Sequence, residues 1–224
     1  QRASIEHVFY CGYYRVMPID FQSGLFADTG VQIPPLHGRV RRVPLSHGAW
    51  VDVLPGWVKG ADEVFFRLID GIPWRAERRE MYERTVDVPR LLHMYHEDDA
   101  LPDEALVLAR DELNRHYADE LGEQFVTAGC CYYRDGRDSV AWHGDRIGRS
   151  RHSDTMVAIV SFGAPRQLAL RPLGGRLHSS YPLGHGDLIV MGGSCQRTWQ
   201  HAILKTAKPV GPRISVQFRP RNVF

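Results

Sequence analysis

Residues 125–145, FVTAGCCYYRDGRDSVAWHGD, open the part of the chain that decides the fold. From here onward, short runs of β-branched and aromatic residues alternate with Gly and Pro, as strands alternate with turns. There are seven such runs: FVTAGCCYYR, DSVAWH, TMVAIVSF, QLALRP, DLIVMG, WQHAIL and PRISVQFRP. Seven runs within about 95 residues predict an all-β sandwich or barrel for this half of the chain.

The residues before this stretch predict helices and irregular segments. The first 50 residues are rich in Gly, Pro and polar breaks, and only Arg39–Pro44 has the pattern of a short strand. A helix is predicted to begin with Asp62 as its N-cap, because Val64, Phe65 and Leu68 then fall on one face.

Two further segments precede the β-rich half. A longer helix is predicted over residues 102–121, with Asp103 near its start, Gly122 at its end and an acidic face in solvent. Residues 71–84, GIPWRAERREMYER, carry several arginines without periodicity, which predicts an exposed loop or ribbon. Such a segment is either a charged surface turn or a lid over a substrate.

The composition excludes several classes of protein. The 224 residues fit one structural domain, and an apolar content of 43% is too high for a disordered chain. No apolar run approaches the roughly 18 residues of a membrane span, and no signal peptide is visible. The four cysteines form no CxxC pair, which predicts a reducing, cytoplasmic setting and argues against a cysteine zinc site.

The net charge of +2 hides an asymmetry along the chain. Residues 1–129 carry 14 Lys and Arg against 21 Asp and Glu, a net charge of −7, whereas residues 130–224 carry 14 against 5, a net charge of +9. A basic part beside an acidic part indicates an anionic partner for one face, unless the charges intermix on folding.

The strongest short motif is Trp142-His143-Gly144-Asp145 at the end of a predicted strand. Because residues i and i+2 of an extended chain point the same way, His143 and Asp145 present an imidazole and a carboxylate side by side. With a second histidine they form the two-histidine, one-carboxylate set that binds non-haem Fe(II) and leaves coordination positions open. Taken alone, the motif indicates only a surface His and a turn Asp, because any three-residue pattern recurs by chance.

His201 is the best candidate for the third ligand. It lies inside the strand-like run WQHAIL, whereas His152, His178 and His185 lie in Gly- or Ser-rich stretches that give a metal ligand a poorer support.

The last run, Arg213-Ile-Ser-Val-Gln-Phe-Arg219, is amphipathic with a period of two. One face carries Arg213, Ser215, Gln217 and Arg219. This face is an ordinary solvated strand face if it points outward. If it points into a barrel, its arginines need anions, and a small dicarboxylate would satisfy them.

Taken in order, these motifs resemble the AlkB family of Fe(II)- and 2-oxoglutarate-dependent dioxygenases, which dealkylate nucleic acid. The resemblance covers about residues 85–219. Its motifs are Val88-Pro-Arg90, Tyr133 to Asp145, Ile159 to Arg166, Gly186 to Met191, His201, and Arg213 to Arg219.

The resemblance implies a mainly β protein with flanking helices, built on a double-stranded β-helix, or jelly roll. Residues 85–224 would form this dioxygenase core, and residues 1–84 an irregular and helical segment with a substrate lid, together one structural domain. His143, Asp145 and His201 would bind Fe(II). The cosubstrate 2-oxoglutarate would be held by Arg213, Tyr133, Ser215 and Arg219.

The implied reaction is oxidative dealkylation of N-alkylated bases such as 1-methyladenine or 3-methylcytosine, with release of formaldehyde, succinate and CO₂. The partners would be O₂ and nucleic acid, with DNA favoured and RNA possible. We expect a monomer that does not engage a membrane.

The sequence departs from the family pattern at three points. Cys131 stands where the family often has Asn, and Ser215 and Gln217 replace the Asn and Thr of its RxNxTxR strand. The acidic residue that follows HxD in the DNA-repair members is missing, because residues 146–149 read Arg-Ile-Gly-Arg. There are therefore two alternatives. One is an Fe(II)/2-oxoglutarate hydroxylase or demethylase of a small molecule or protein, and the other is a non-enzymatic binding module.

A flipped base would need aromatic and basic residues around it. The candidates for substrate binding are Trp74, Tyr82, Tyr95, Arg149 and Arg166. Trp142 lies nearest the site, but strand alternation points it away from His143, and each aromatic residue is otherwise explained by core packing.

Overall fold

The computed structural model describes residues 30–81, 84–146 and 148–223. Two antiparallel sheets dominate it. The major sheet has eight strands in the order β1-β2-β10-β7-β12-β5-β4-β3, and the minor sheet has four in the order β6-β11-β8-β9.

The strands run over short, β-branched segments, as the pattern predicted. Their bounds are β1 (Arg41–Pro44), β2 (Ala49–Leu54), β3 (Arg75–Met81), β4 (Arg84–Tyr95), β5 (Phe125–Tyr133), β6 (Val140–His143), β7 (Val157–Gly163), β8 (Arg166–Pro172), β9 (Ser179–Leu183), β10 (Asp187–Gly193), β11 (Trp199–Ile203) and β12 (Arg213–Pro220). The helices are α1 (Ala61–Gly71), α2 (Glu104–Leu121) and the single turn α3 (Cys195–Thr198).

The major sheet separates two hydrophobic cores. On one face, Val160, Val216 and Phe218 pack with buried residues of the two long helices, such as Leu68 and Leu113. On the other face, apolar residues of the major sheet pack against the inner face of the minor sheet, including Ile159, Leu170 and Met191. The functional site lies in this second layer, between the two sheets.

The predicted β-rich half and the mainly β, jelly-roll class are confirmed, and so is the short strand at Arg41–Pro44. The helix α2 also ends as predicted: the Asp103 carboxylate accepts from the Ala105 N–H at 2.9 Å, and Gly122 adopts a left-handed φ of 70°.

Several predictions for the N-terminal segment were wrong. The helix α1 begins after Gly60, so Asp62 lies in its first turn and is not its N-cap. A carboxylate in the first turn still stabilises the helix, because it interacts favourably with the helix dipole. Residues 49–54, not predicted as a strand, form β2 within the major sheet. Of the two forms predicted for residues 71–84, an exposed loop or ribbon, the ribbon is the one observed: residues 75–81 form β3 in a hairpin with β4, and residues 75–78 are exposed. The face of α2 is not wholly solvated, because the buried Glu112 accepts from the Leu36 N–H at 2.7 Å.

Candidate metal and cosubstrate site

Two neighbouring strands of the minor sheet bring the predicted metal ligands together. His143 ends β6 and lies directly opposite His201 on β11, and Asp145 follows two residues later. One potential ligand atom from each of the three side chains lies within 4.8 Å of the other two. The chain thus presents two imidazoles and one carboxylate from a rigid support, the donor set expected for non-haem Fe(II).

The three side chains differ in their access to solvent. Asp145 and His201 are buried, whereas the side chain of His143 is 37% exposed. The ring centroids of the two histidines are 4.2 Å apart, and Nε2 of His143 lies 3.7 Å from Oδ1 of Asp145. The site is therefore closed on the side of the sheets and open at the edge that β6 forms.

Second-layer contacts orient these groups. Nδ1 of His143 lies 2.8 Å from the Ala141 carbonyl, which can only accept, so this nitrogen carries the proton and Nε2 keeps its lone pair for a metal. The Asp145 N–H donates to Oε1 of Gln196 at 3.0 Å, and Nε of Arg219 donates to Oδ2 of Asp145 at 2.7 Å.

The protonation states suit metal binding. Burial acts to raise the pKa of Asp145, but the positive charge of Arg219 and the neighbouring imidazoles outweigh it and hold that pKa below its usual value. Burial, followed by the proximity of His143, lowers the pKa of His201 to about 3. A carboxylate and a neutral imidazole are the forms that bind a metal.

Arg213 lies deeper between the sheets, and part of its guanidinium has no hydrogen-bond partner among the described residues. It is 1% exposed, and its Nη2 donates to Oγ of Ser161 at 2.7 Å. Its Nε and Nη1 are buried and have no partner among the described residues. A buried cation with two unsatisfied N–H donors is costly unless an anion completes it, so the geometry calls for a bound carboxylate.

Comparison with known proteins identifies the family. The model of the 2OG-Fe(II) oxygenase superfamily matches residues 75–219, which include the three potential metal ligands and both arginines of β12. The chain belongs to this superfamily.

Relatives within the superfamily confirm the resemblance to the AlkB family. The Bos taurus alpha-ketoglutarate-dependent dioxygenase alkB homolog 3 is 31% identical over 193 residues, covering 75% of this chain and 65% of that protein. The Arabidopsis thaliana DNA oxidative demethylase ALKBH2 is 34% identical over 122 residues, covering 44% of this chain and 38% of that protein. The chain therefore spans slightly less than two thirds of the length of the bovine relative.

Solved structures share the fold. The structure of OsALKBH1 superposes with a TM-score of 0.56 at 14% identity, covering 81% of this chain and all of that one. A Pseudomonas putida prolyl-4-hydroxylase superposes with a TM-score of 0.52 at 19% identity, covering 79% and 95% of the two chains. These similarities establish the jelly-roll fold of this oxygenase.

The superfamily uses Fe(II) and 2-oxoglutarate, and the unsatisfied donors of Arg213 fit the second of these. The Tyr133 ring lies 5.2 Å from the Arg213 guanidinium. Burial raises the pKa of Tyr133 above its usual value, so its phenol stays protonated and can donate to a carboxylate. Ser215 is buried opposite Ser161, and its hydroxyl accepts from Nε2 of Gln217 at 3.0 Å.

The cleft of the oxygenase has lining residues that the sequence did not single out. Arg90, on β4, lines the cleft together with Cys131, Tyr133 and His143. Its Nη1 donates to the Ser139 carbonyl at 3.0 Å, and its Nε is buried without a partner. The triplet Val88-Pro-Arg90 is one of the motifs that resemble the family, but nothing in the triplet shows that its arginine points inward. Ser161, the partner of Arg213, was hidden inside an apolar strand.

The predicted substrate residues lie elsewhere. Trp74 stacks on Tyr132 at 5.4 Å and Tyr95 is buried in the helix-side core, so both lie on the face of the major sheet opposite the cleft. Arg166 is buried and donates to three backbone carbonyls, so it does not reach the surface. Tyr82 and the side chain of Arg149 lie outside the part of the chain that the structure describes.

Within the described ranges, no helix is both long and apolar enough to cross a membrane.

Proposed function

We propose that this oxygenase oxidatively dealkylates N-alkylated bases in nucleic acid, with DNA favoured over RNA. Bases such as 1-methyladenine and 3-methylcytosine would lose formaldehyde, while 2-oxoglutarate yields succinate and CO₂. The names of the relatives support this substrate class, since they include DNA oxidative demethylases and an alkB homolog.

The single observation that carries the proposal is a buried, incompletely paired arginine on the same strand face as Arg219, the residue that donates to Asp145 of the three-ligand metal set. Strand alternation puts Arg213 on the face of β12 that also carries Gln217 and Arg219, and these two residues line the cleft together with His201. In our proposal His143, Asp145 and His201 hold Fe(II), and Arg213, Tyr133, Ser215 and Arg219 form the cosubstrate side. When bound, the metal and its cosubstrate supply the O₂-dependent oxidation of the N-alkyl carbon.

The residues of the chain have separate tasks in this proposal. Arg219 holds the Asp145 carboxylate in its ionised form and fixes its second oxygen. Arg213 and Tyr133 would bind and orient the distal carboxylate of 2-oxoglutarate. The apolar walls formed by Val157, Ile159 and Leu168 exclude water from the reacting centre.

Mass spectrometry of modified oligonucleotides tests the proposal. The protein is incubated with Fe(II), 2-oxoglutarate, O₂ and oligonucleotides that carry 1-methyladenine or 3-methylcytosine. We expect a mass loss of one methylene unit and an equal amount of formaldehyde, both absent with His143→Ala. Succinate formation without mass loss on any single- or double-stranded DNA or RNA would contradict the nucleic-acid substrate.

The second candidate is a hydroxylase or demethylase of a small molecule or protein. It is favoured by the sequence after the metal motif, Arg146-Ile-Gly-Arg149, which lacks the acidic residue of the DNA-repair members. The same incubation separates the two, because the second candidate predicts that oligonucleotides leave the rate of succinate formation unchanged.

A further inference from the structure

The outward face of the minor sheet carries a cluster that the oxygenase site does not use. Strand alternation points His143, His201 and Leu170 inward, and the residue next to each of them points outward. These outward residues are Trp142 on β6, Gln200 on β11 and Arg171 on β8.

Arg171 contacts both of the other side chains, so the cluster spans three strands. The Arg171 guanidinium carbon lies 4.3 Å from the centroid of the Trp142 ring, and Nε of Arg171 donates to Oε1 of Gln200 at 3.0 Å. Trp142 and Arg171 are each half-buried. No other hydrogen bond or ion pair in the described part of the chain involves the terminal nitrogens of Arg171. The cluster is thus a fixed, cationic and aromatic surface.

The surrounding charge is strongly positive. Residues 146–212 contain nine Lys and Arg but only two Asp, a net charge of +7. Both acids are engaged: Asp154 pairs with Arg197, and Asp187 accepts from the N–H groups of Gly56 and Gly184. Several exposed cations border the sheet on its loops, and no ion pair involves them within the described residues: Arg146, Arg151, Arg176, Lys205 and Lys208.

We propose that the Trp142–Arg171 pair is a binding surface for the nucleic-acid strand that flanks the base under reaction. A base stacks on the tryptophan–guanidinium pair, and the free terminal nitrogens of Arg171 contact a phosphate. This inference rests on the proposed function and adds to it a contact surface outside the cleft.

The chemistry of the cluster favours a single strand over other anions. An aromatic ring can stack any unpaired base, and a guanidinium adds both a stacking plane and a phosphate contact. A surface of cations alone would bind any polyanion, whereas the tryptophan favours a polyanion whose bases are exposed and can stack on its ring. The location agrees, because Trp142 directly precedes the metal ligand His143 at the open edge of the site.

Fluorescence anisotropy with a labelled single-stranded DNA 20-mer that carries one 3-methylcytosine tests the surface. Mn(II) replaces Fe(II), so that binding is measured without turnover. Trp142→Ala and Arg171→Ala are each expected to weaken binding roughly ten-fold. Arg171→Ala should also lower the slope of log Kd against log salt by about one, and Trp142→Ala should leave that slope unchanged.

Arg110→Ala is the matched control, because it removes the same charge from the acidic helix α2 on the other side of the molecule. It should leave the affinity within about two-fold of the wild type. Succinate formation without nucleic acid should be equal in the wild type and all three variants, which shows that the oxygenase site is intact.

The outcomes for the two proposals are distinct. If the wild type demethylates the oligonucleotide but Trp142→Ala and Arg171→Ala bind it as the wild type does, the binding surface is refuted and the proposed function stands. If the wild type forms succinate but demethylates no oligonucleotide, the proposed function fails. Binding that still depends on Trp142 and Arg171 would then support the surface, and binding that does not would refute it.

Discussion

Arg166 and Arg213 are two arginines that the fold buries against the same Tyr133 ring, yet of the two only Arg166 finds acceptors for both of its terminal nitrogens among the described residues. The terminal nitrogens of Arg166 donate to the carbonyls of Asp135, Asp138 and Leu204 at 2.8–3.0 Å. Arg213 donates only to Ser161, and its Nε and Nη1 lack partners in the described chain.

This difference distinguishes Arg166, whose hydrogen bonds serve the fold, from Arg213, which we propose binds a ligand. Carbonyl oxygens within the fold compensate the burial of Arg166, so its partners are all internal. The burial of Arg213 is not compensated internally, and the missing acceptors match a carboxylate in a cleft that also holds a metal set. Burial alone does not distinguish the two residues, whereas a census of their hydrogen-bond partners does.

The largest effect is expected for Asp145→Asn, which turns Arg219 into a second buried arginine without an anion. The variant removes a proposed metal ligand together with the charge that Arg219 faces at 2.7 Å. Because second-layer partners alone account for about 10- to 100-fold in metal affinity, loss of this ligand should exceed 100-fold. Titration with Mn(II), followed by calorimetry, measures it. Affinity within ten-fold of the wild type would exclude Asp145 as a ligand.

Arg166→Met should destabilise the fold. The substitution keeps the apolar stem but removes three hydrogen bonds to backbone carbonyl oxygens, at about 1 kcal/mol each, so unfolding should become easier by about 3 kcal/mol. Urea denaturation measures this change in the free energy of unfolding. A loss below 1 kcal/mol would show that Arg166 is not structural and would remove one side of the contrast.

Arg213→Met should have the opposite sign in the absence of 2-oxoglutarate. Replacing an incompletely paired buried charge by an apolar side chain of similar shape is often neutral or stabilising by about 1–4 kcal/mol. We therefore expect the free energy of unfolding to stay constant or to rise, in the same urea experiment. A loss as large as that of Arg166→Met would show that the fold itself satisfies Arg213.

The smallest effect is expected for Gly129→Ala, which tests whether the position of the Arg219 guanidinium matters for metal binding. An added Cβ would lie 2.9 Å from Nη1 of Arg219, so the guanidinium must shift from its place beside Asp145. Since the group that must move is the end of a flexible side chain, stability should fall by less than about 1 kcal/mol, whereas Mn(II) affinity should fall several-fold. Gly71→Ala, in open space, is the control and should leave the Mn(II) affinity unchanged.

Much of the fold could be predicted from local sequence, because its strands are short apolar runs between turn residues. Two of the strands that were missed, β2 and β9, contain residues that interrupt an apolar run. β2 contains Asp52, which breaks the apolar pattern but is buried through hydrogen bonds from Arg42 and Tyr117. β9 reads SSYPL and forms the edge of the minor sheet, where polar residues and Pro are tolerated.

The three candidate metal ligands could also be predicted from local sequence, whereas the direction of Arg213 could not. The spacing of His143 and Asp145 on an extended chain fixes their common direction, and His201 lies in a strand that could pair with theirs. Periodicity could not decide whether Arg213 points inward, because either face of an isolated strand can be the buried one. Trp74 and Tyr95, predicted on the substrate side, show the same ambiguity: they pack on the face of the major sheet that the helices cover, and the cleft lies on the other face.

Calorimetric titration of 2-oxoglutarate into the Mn(II)-loaded protein is the most direct test of the role of Arg213. The wild type should bind one equivalent, and Arg213→Met should bind about 100-fold more weakly or worse, because a buried charge pair is lost. Arg166→Met, where it remains folded, should bind within about three-fold of the wild type. Equal affinity of Arg213→Met and the wild type would contradict the assignment of its unsatisfied donors to the cosubstrate carboxylate.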